Sequence, residues 1–126
     1  MIVIDSSGWV ELFEKGLQAH PYAELVEGDD DIIVPTIVIY EVCKITLRER
    51  GAHWAELVGG VLEGYRVEPL TAQLAMEAAE VSLKHKLAMA DAVVYATAQM
   101  LEATLVTSDL DFADLPGVTY IPRDSG

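Results

Sequence analysis

Ile2-Val3-Ile4-Asp5-Ser6-Ser7 opens the chain as a short apolar run that delivers an aspartate at its end. The pattern of strand, hydroxyl and carboxylate returns near the other terminus in Ala103-Thr104-Leu105-Val106-Thr107-Ser108-Asp109. An α/β sheet binds its ligands just past the carboxyl ends of its parallel strands, which would put Asp5 and Asp109 in one pocket. Glu41 and Asp91, each embedded in an otherwise apolar stretch, are the candidates to complete it. Acids in such places need a reason, and a divalent metal is the simplest one.

Between these two strands the chain alternates. Ser6 reads as the N-cap of a helix through Trp9, Val10, Leu12 and Phe13, ended by Gly16. A helix over about His20 to Glu27 and a turn at Gly28 lead into the strand Ile32-Ile33-Val34. Thr36 to Val42 is rich in β-branched residues, and propensity alone favours a strand there. Pro35 and Thr36 instead mark a helix start, and helical composition continues from Lys44 to Arg50 until Gly51. We read a buried helix whose β-branched run is a cost that packing must offset. Helical spacing sets Glu41, Lys44 and Arg48 along one face of it.

A helix from about Ala52 to Leu62 follows, weakened by Gly59-Gly60, then a short strand Arg66-Val67-Glu68 ended by Pro69. Thr71 caps a helix carrying Leu74, Ala78 and Leu83, and an alanine-rich helix runs from Ala90 to Leu101 with Asp91 in its first turn. The strand Thr104 to Val106, an acidic turn over Leu110 to Leu115 and a strand Val118 to Ile121 complete the order. Strands alternating with helices predict an α/β fold with a central, mostly parallel sheet flanked by helices on both faces.

The totals bound the function. The 126 residues, 52% of them hydrophobic, suit one domain over 1–126 with a sizeable core. Cys43 is the single cysteine, which excludes an internal disulfide and a multi-cysteine zinc site. No apolar run approaches the roughly 20 residues that span a bilayer, and no secretory signal opens the chain, so a cytoplasmic location without membrane contact is expected. Eight basic against 21 acidic residues leave a net charge of −13, which cuts against a simple nucleic-acid binder. Trp9, Phe13, Trp54, Tyr65 and Tyr95 read as packing residues, Met76, Met89 and Met100 as core filler, and Cys43 as a small buried apolar group.

Four carboxylates sharing one cavity repel, so without a cation one of them tends to hold its proton. Mg²⁺ and Mn²⁺ are hard cations that prefer oxygen ligands, and either can acidify a bound water and shield a phosphodiester's charge. No histidine at ligand spacing competes, and no Ser/His/Asp set is visible. Each acid also has a plainer reading. Asp5 could cap the first helix, Glu41 could pair with Lys44, Asp91 could sit at a helix dipole, and Asp109 could open a turn. Four separate explanations are less economical than one common site.

Taken together these segments resemble the PIN-domain ribonucleases, and in particular the small VapC-type toxins of bacterial and archaeal toxin–antitoxin pairs. The likeness spans essentially the whole chain. Ile2 to Ser7 is similar to the family's opening strand and first acid, Pro35 to Val42 to the segment carrying the second, Leu87 to Ala92 to the third, and Leu105 to Phe112 to the fourth. The resemblance implies a PIN fold and Mg²⁺- or Mn²⁺-dependent cleavage of RNA. Asp5, Glu41, Asp91 and Asp109 would be catalytic and hold the metal and its attacking water, with Ser6, Thr107 and the more peripheral Asp111 supporting them from behind. It also implies a homodimer, and inhibition by a small antitoxin whose tail covers the acidic pocket.

The scarcity of basic residues leaves phosphate contacts to Lys44 and Arg48 first, then to Lys84, His85 and Lys86. Two other functions stay in competition. A catalytically silent PIN-like domain serving as a protein-binding module would have lost one or more acids. A Mg²⁺-dependent phosphatase with an aspartyl nucleophile would want an aspartate two residues after Asp5, where this chain has Ser7.

Overall fold

The computed structural model describes residues 1–16 and 19–123. Its centre is a five-stranded sheet, parallel at every pairing. The strands are β1 (Ile2–Ile4), β2 (Ile32–Pro35), β3 (Arg66–Glu68), β4 (Thr104–Thr107) and β5 (Val118–Tyr120), in the order β3-β2-β1-β4-β5. Parallel neighbours need crossovers, and helices supply them. They are α1 (Ser6–Lys15), α2 (His20–Glu27), α3 (Thr36–Arg50), α4 (Ala52–Glu63), α5 (Ala72–His85) and α6 (Met89–Met100), covering both faces of the sheet.

β1 and β2 are buried along their whole length, as strands covered on both faces must be. That explains why their sequences run apolar instead of alternating. The chain builds outward from β1 through β2 to β3, then returns to lay β4 against the other side of β1. The order therefore reverses between β1 and β4, where an open α/β sheet leaves a crevice at its carboxyl ends. Register places Ile4 beside Val106, so Asp5 and Thr107 are the next pair along.

The β-branched segment after Pro35 is helical, as the breaker signals predicted over the propensity. Pro35 caps α3 in extended conformation, Val38 and Val42 are buried, and Gly51 closes the helix at φ 93° before α4 begins. α6 is the most enclosed helix, with every residue from Ala92 to Ala98 buried. Small side chains make that possible. Its polar groups are satisfied locally: the Thr97 hydroxyl donates to the Val93 carbonyl at 2.7 Å and the Tyr95 hydroxyl to the Pro116 carbonyl at 2.6 Å.

Several expectations are corrected. The N-cap of α1 is Asp5, not Ser6, because Asp5 has the extended backbone and its carboxylate accepts from the Gly8 N–H. Met76, Met89 and Met100 lie on the surface, since the alanines of α5 and α6 already fill the space against the sheet. Trp54 is half-exposed on α4, where the Arg50 guanidinium lies 6.0 Å from its ring centre. Cys43 is only partly buried and makes a long, weak contact of 3.8 Å to the Ala55 carbonyl. Among the described residues, no helix is long and apolar enough to cross a membrane.

Candidate metal centre

Asp5 leaves the end of β1 and is buried, so each of its oxygens needs a donor. The Ser7 hydroxyl donates to Oδ1 at 2.7 Å and the Thr107 hydroxyl to Oδ2 at 2.9 Å, while the Gly8 N–H reaches Oδ1 at a longer 3.4 Å. Thr107 Oγ1 in turn accepts from the Asp109 N–H at 2.9 Å. One hydroxyl thus ties the ends of β1 and β4 together. Burial nonetheless raises the Asp5 pKa; these hydrogen bonds oppose the rise, and the charge of Asp109 adds to it.

Asp109 follows β4 and caps a short 3-10 turn over Leu110–Phe112, its Oδ1 accepting from the Asp111 N–H at 2.9 Å. That tight turn swings Asp111 back toward its neighbour. Asp91 enters from the first turn of α6. One carboxylate oxygen from each of Asp91, Asp109 and Asp111 lies within 4.8 Å of the others. Among the described residues this is the acidic group with metal-ligand spacing.

The expected set of four is therefore redrawn. Three acids converge at ligand spacing, and Asp111, expected at the periphery, is one of them. Asp5 is not among the three, and its oxygens accept from Ser7, Thr107 and Gly8. Glu41 stands half-buried on α3 with the Ser6 hydroxyl beside it, and burial raises its pKa, with Asp5 and Asp109 adding to the rise. The plainer reading of Glu41 as a partner of Lys44 holds only in part: the two form no direct ion pair, Lys44 lies 5.7 Å from the centre of the Tyr40 ring, and its charge offsets a little of the rise at Glu41. Arg48 pairs instead with Glu49 at 3.6 Å, on the exposed flank of α3. The turn and capping readings of Asp109 and Asp5 are realised, alongside their place in the pocket.

Asp91 carries the greatest electrostatic burden. Its pKa is pushed up to about 7, first by burial and then by the charges of Asp109, Glu41, Asp5 and Asp111. No ion pair among the described residues involves any of these five acids. An all-oxygen, strongly negative pocket without a direct ion pair fits a hard divalent cation, which would relieve the repulsion that raises Asp91.

Sequence reasoning missed Ser7, which touches Asp5 where Ser6 does not. The signal was present: a hydroxyl two residues after a strand-end aspartate is placed to fold back on it. It also missed Tyr22 on α2, whose hydroxyl is hydrogen-bonded to Ser108 Oγ.

The profile of the PIN domain matches residues 2–118. The chain belongs to the PIN-domain family. Among solved structures this PIN domain is similar to a chain of a toxin–antitoxin complex from Klebsiella pneumoniae, at 22% identity and a TM-score of 0.82 over 98% of this chain and 99% of that one. It is similar to VapC20 of Mycobacterium tuberculosis, a sarcin–ricin loop cleaving toxin, at 21% identity and a TM-score of 0.79, covering 98% and 100%. VapBC2 from Rickettsia felis, bound to a fragment of its promoter DNA, superposes at a TM-score of 0.76 with 17% identity, covering 98% and 100%. At these identities the likeness is one of fold. Among curated proteins no sequence matches this PIN domain.

Proposed function

We propose that this PIN domain is a Mg²⁺- or Mn²⁺-dependent endoribonuclease, the toxin of a type II toxin–antitoxin pair. The observation that carries the reading is the group of Asp91, Asp109 and Asp111 within 4.8 Å, flanked by Asp5 and Glu41, with no direct ion pair to any of the five among the described residues. A bound cation would offset the repulsion within such a pocket. Asp91, Asp109 and Asp111 would hold the ion, with Asp5 and Glu41 completing the charge around it. When bound, the ion supplies an acidified water and neutralises charge building on a phosphodiester.

The chain's own residues do the rest. Ser7 and Thr107 fix both oxygens of Asp5, so its charge is presented in one orientation. Thr107 also holds the backbone that aims Asp109. The exposed Lys44 and Arg48, on the helix that carries Glu41, would meet phosphates, supplemented by Lys84 and Lys86 at the end of α5. The relatives of similar fold include VapC20 and members of toxin–antitoxin complexes, which favours an antitoxin partner over a lone enzyme.

Two surfaces suit the partners. A groove between α1, α3 and α4, lined by Val10, Phe13, Ile45, Trp54, Leu57 and Val61, offers an antitoxin an apolar seat. Met76, Leu83 and Met89, left in solvent on α5 and α6, give a second copy something to cover in a homodimer. A cytoplasmic site of action follows from that role.

The test is cleavage of single-stranded RNA by antitoxin-free protein with Mg²⁺, with Mn²⁺ and with chelator, beside the Asp91→Asn variant. Metal-dependent cutting absent from the variant is the expected result. Cutting that survives chelator or the substitution would remove the reading. Folded protein that binds Mn²⁺ yet cuts no RNA would favour the silent, protein-binding alternative.

A further inference from the structure

Behind the acidic pocket lies a run of buried hydroxyls that continues past Thr107. Ser108 is buried, and its N–H donates to Ser7 Oγ at 3.1 Å, the same hydroxyl that donates to Asp5. The Ser108 side chain turns the other way and meets Tyr22 of α2. Tyr22 is itself buried, and burial pushes its pKa up to about 12, so the phenol keeps its proton and can donate.

The approach of Tyr22 is built into α1. A Cβ on Gly8 would stand 2.6 Å from Ile4 Cγ2 and closer still to Tyr22 Cε1. Only glycine lets the ring lie across the start of this helix and reach the loop beyond it. A helix outside the pocket therefore spends a buried phenol on one loop serine.

We propose that Tyr22 is a positioning residue: through Ser108 it pins the loop after β4 and so sets where Asp109 and Asp111 stand relative to Asp5. Fixing Ser108 fixes both its neighbours. Thr107 on one side holds Asp5, and Asp109 on the other begins the turn that brings Asp111 into the cluster. Ser7 closes the circuit by accepting from Ser108 while donating to Asp5. The inference rests on reading the cluster as a metal site.

The test uses the full chain carrying Tyr22→Phe, Ser108→Ala and both, with Mn²⁺ affinity and amide hydrogen exchange over residues 107–111 as readouts. Phenylalanine keeps the ring and its packing, so a purely packing role leaves the Mn²⁺ Kd unchanged. Positioning predicts a Kd weakened about 10-fold in each single variant, the low end for groups that orient metal ligands. It also predicts faster exchange at Ser108 and Asp109, and a double variant no worse than either single one. An unchanged Kd in Tyr22→Phe, with wild-type protein that binds Mn²⁺, overturns the inference. Wild-type protein that binds no Mn²⁺ overturns the metal reading instead. In that event faster loop exchange in Tyr22→Phe still supports the pin, and unchanged exchange overturns it.

Discussion

Asp91 shows what the pocket costs the protein. A carboxyl with a pKa of about 7, against a reference value of 3.8, holds a proton in the folded state that the unfolded chain has released. The folded state thus binds more protons between about pH 4 and 7, and stability falls as pH rises through that window. Above about pH 7 the loss is complete. Asp91→Asn removes the penalty. Without metal, at pH 8, the variant should be more stable by about 1–2 kcal/mol once solvent screening is discounted. Its Tm should rise by about 3–8 °C, with the gain shrinking toward pH 4. Thermal unfolding across that pH range checks this; a variant less stable than wild type at pH 8 would contradict it.

At the scale of elements, α6 is the most demanding. Its buried stretch from Ala92 to Ala98 is held close to the sheet and to α3 and α5 by the smallness of its side chains. Ala96→Leu should therefore cost about 1–3 kcal/mol through overpacking, seen as a lower urea midpoint with an unchanged slope. A neutral result would mean that the neighbours of α6 can yield. Most elements were legible in the sequence because breakers and caps mark their ends. Gly16, Gly51, Pro69 and Thr71 each stand where an element stops or starts. The cap of α1 slipped by one residue, since adjacent Asp5 and Ser6 are both good cap types and only backbone conformation separates them. The methionines went astray because a helix turns its apolar residues inward only when smaller ones have not already filled the contact. Asp5 and Asp109 could be read from strand-end position. The part of Asp111 could not, since it depends on a turn only three residues long.

Over the whole molecule, the balance of charge predicts that a divalent ion stabilises the fold. Asp91 of α6 converges with Asp109 and Asp111 of the loop after β4, under the added charge of Asp5 and Glu41, so an ion held there would bridge segments remote in sequence. An ion that binds the folded state alone, at about 100 times its Kd, adds about 2.7 kcal/mol. For a chain of this size that is a Tm increase of about 8–10 °C, reversed by chelator and absent from Asp91→Asn. A Tm indifferent to Mn²⁺ in the wild type would count against the metal centre.

The pairing of β1 with β4 also sets a schedule. Asp5 and Thr107, joined by one hydrogen bond, stand 102 positions apart in the chain. A ribosome adding about 5–20 residues per second makes the first of them roughly 5–20 s before the second. Throughout that interval β1 lacks its partner β4, and Asp109 and Asp111 do not yet exist. The nascent chain therefore carries no complete pocket until Asp111 has been made, and whatever the pocket does waits on β4 and the turn that follows it.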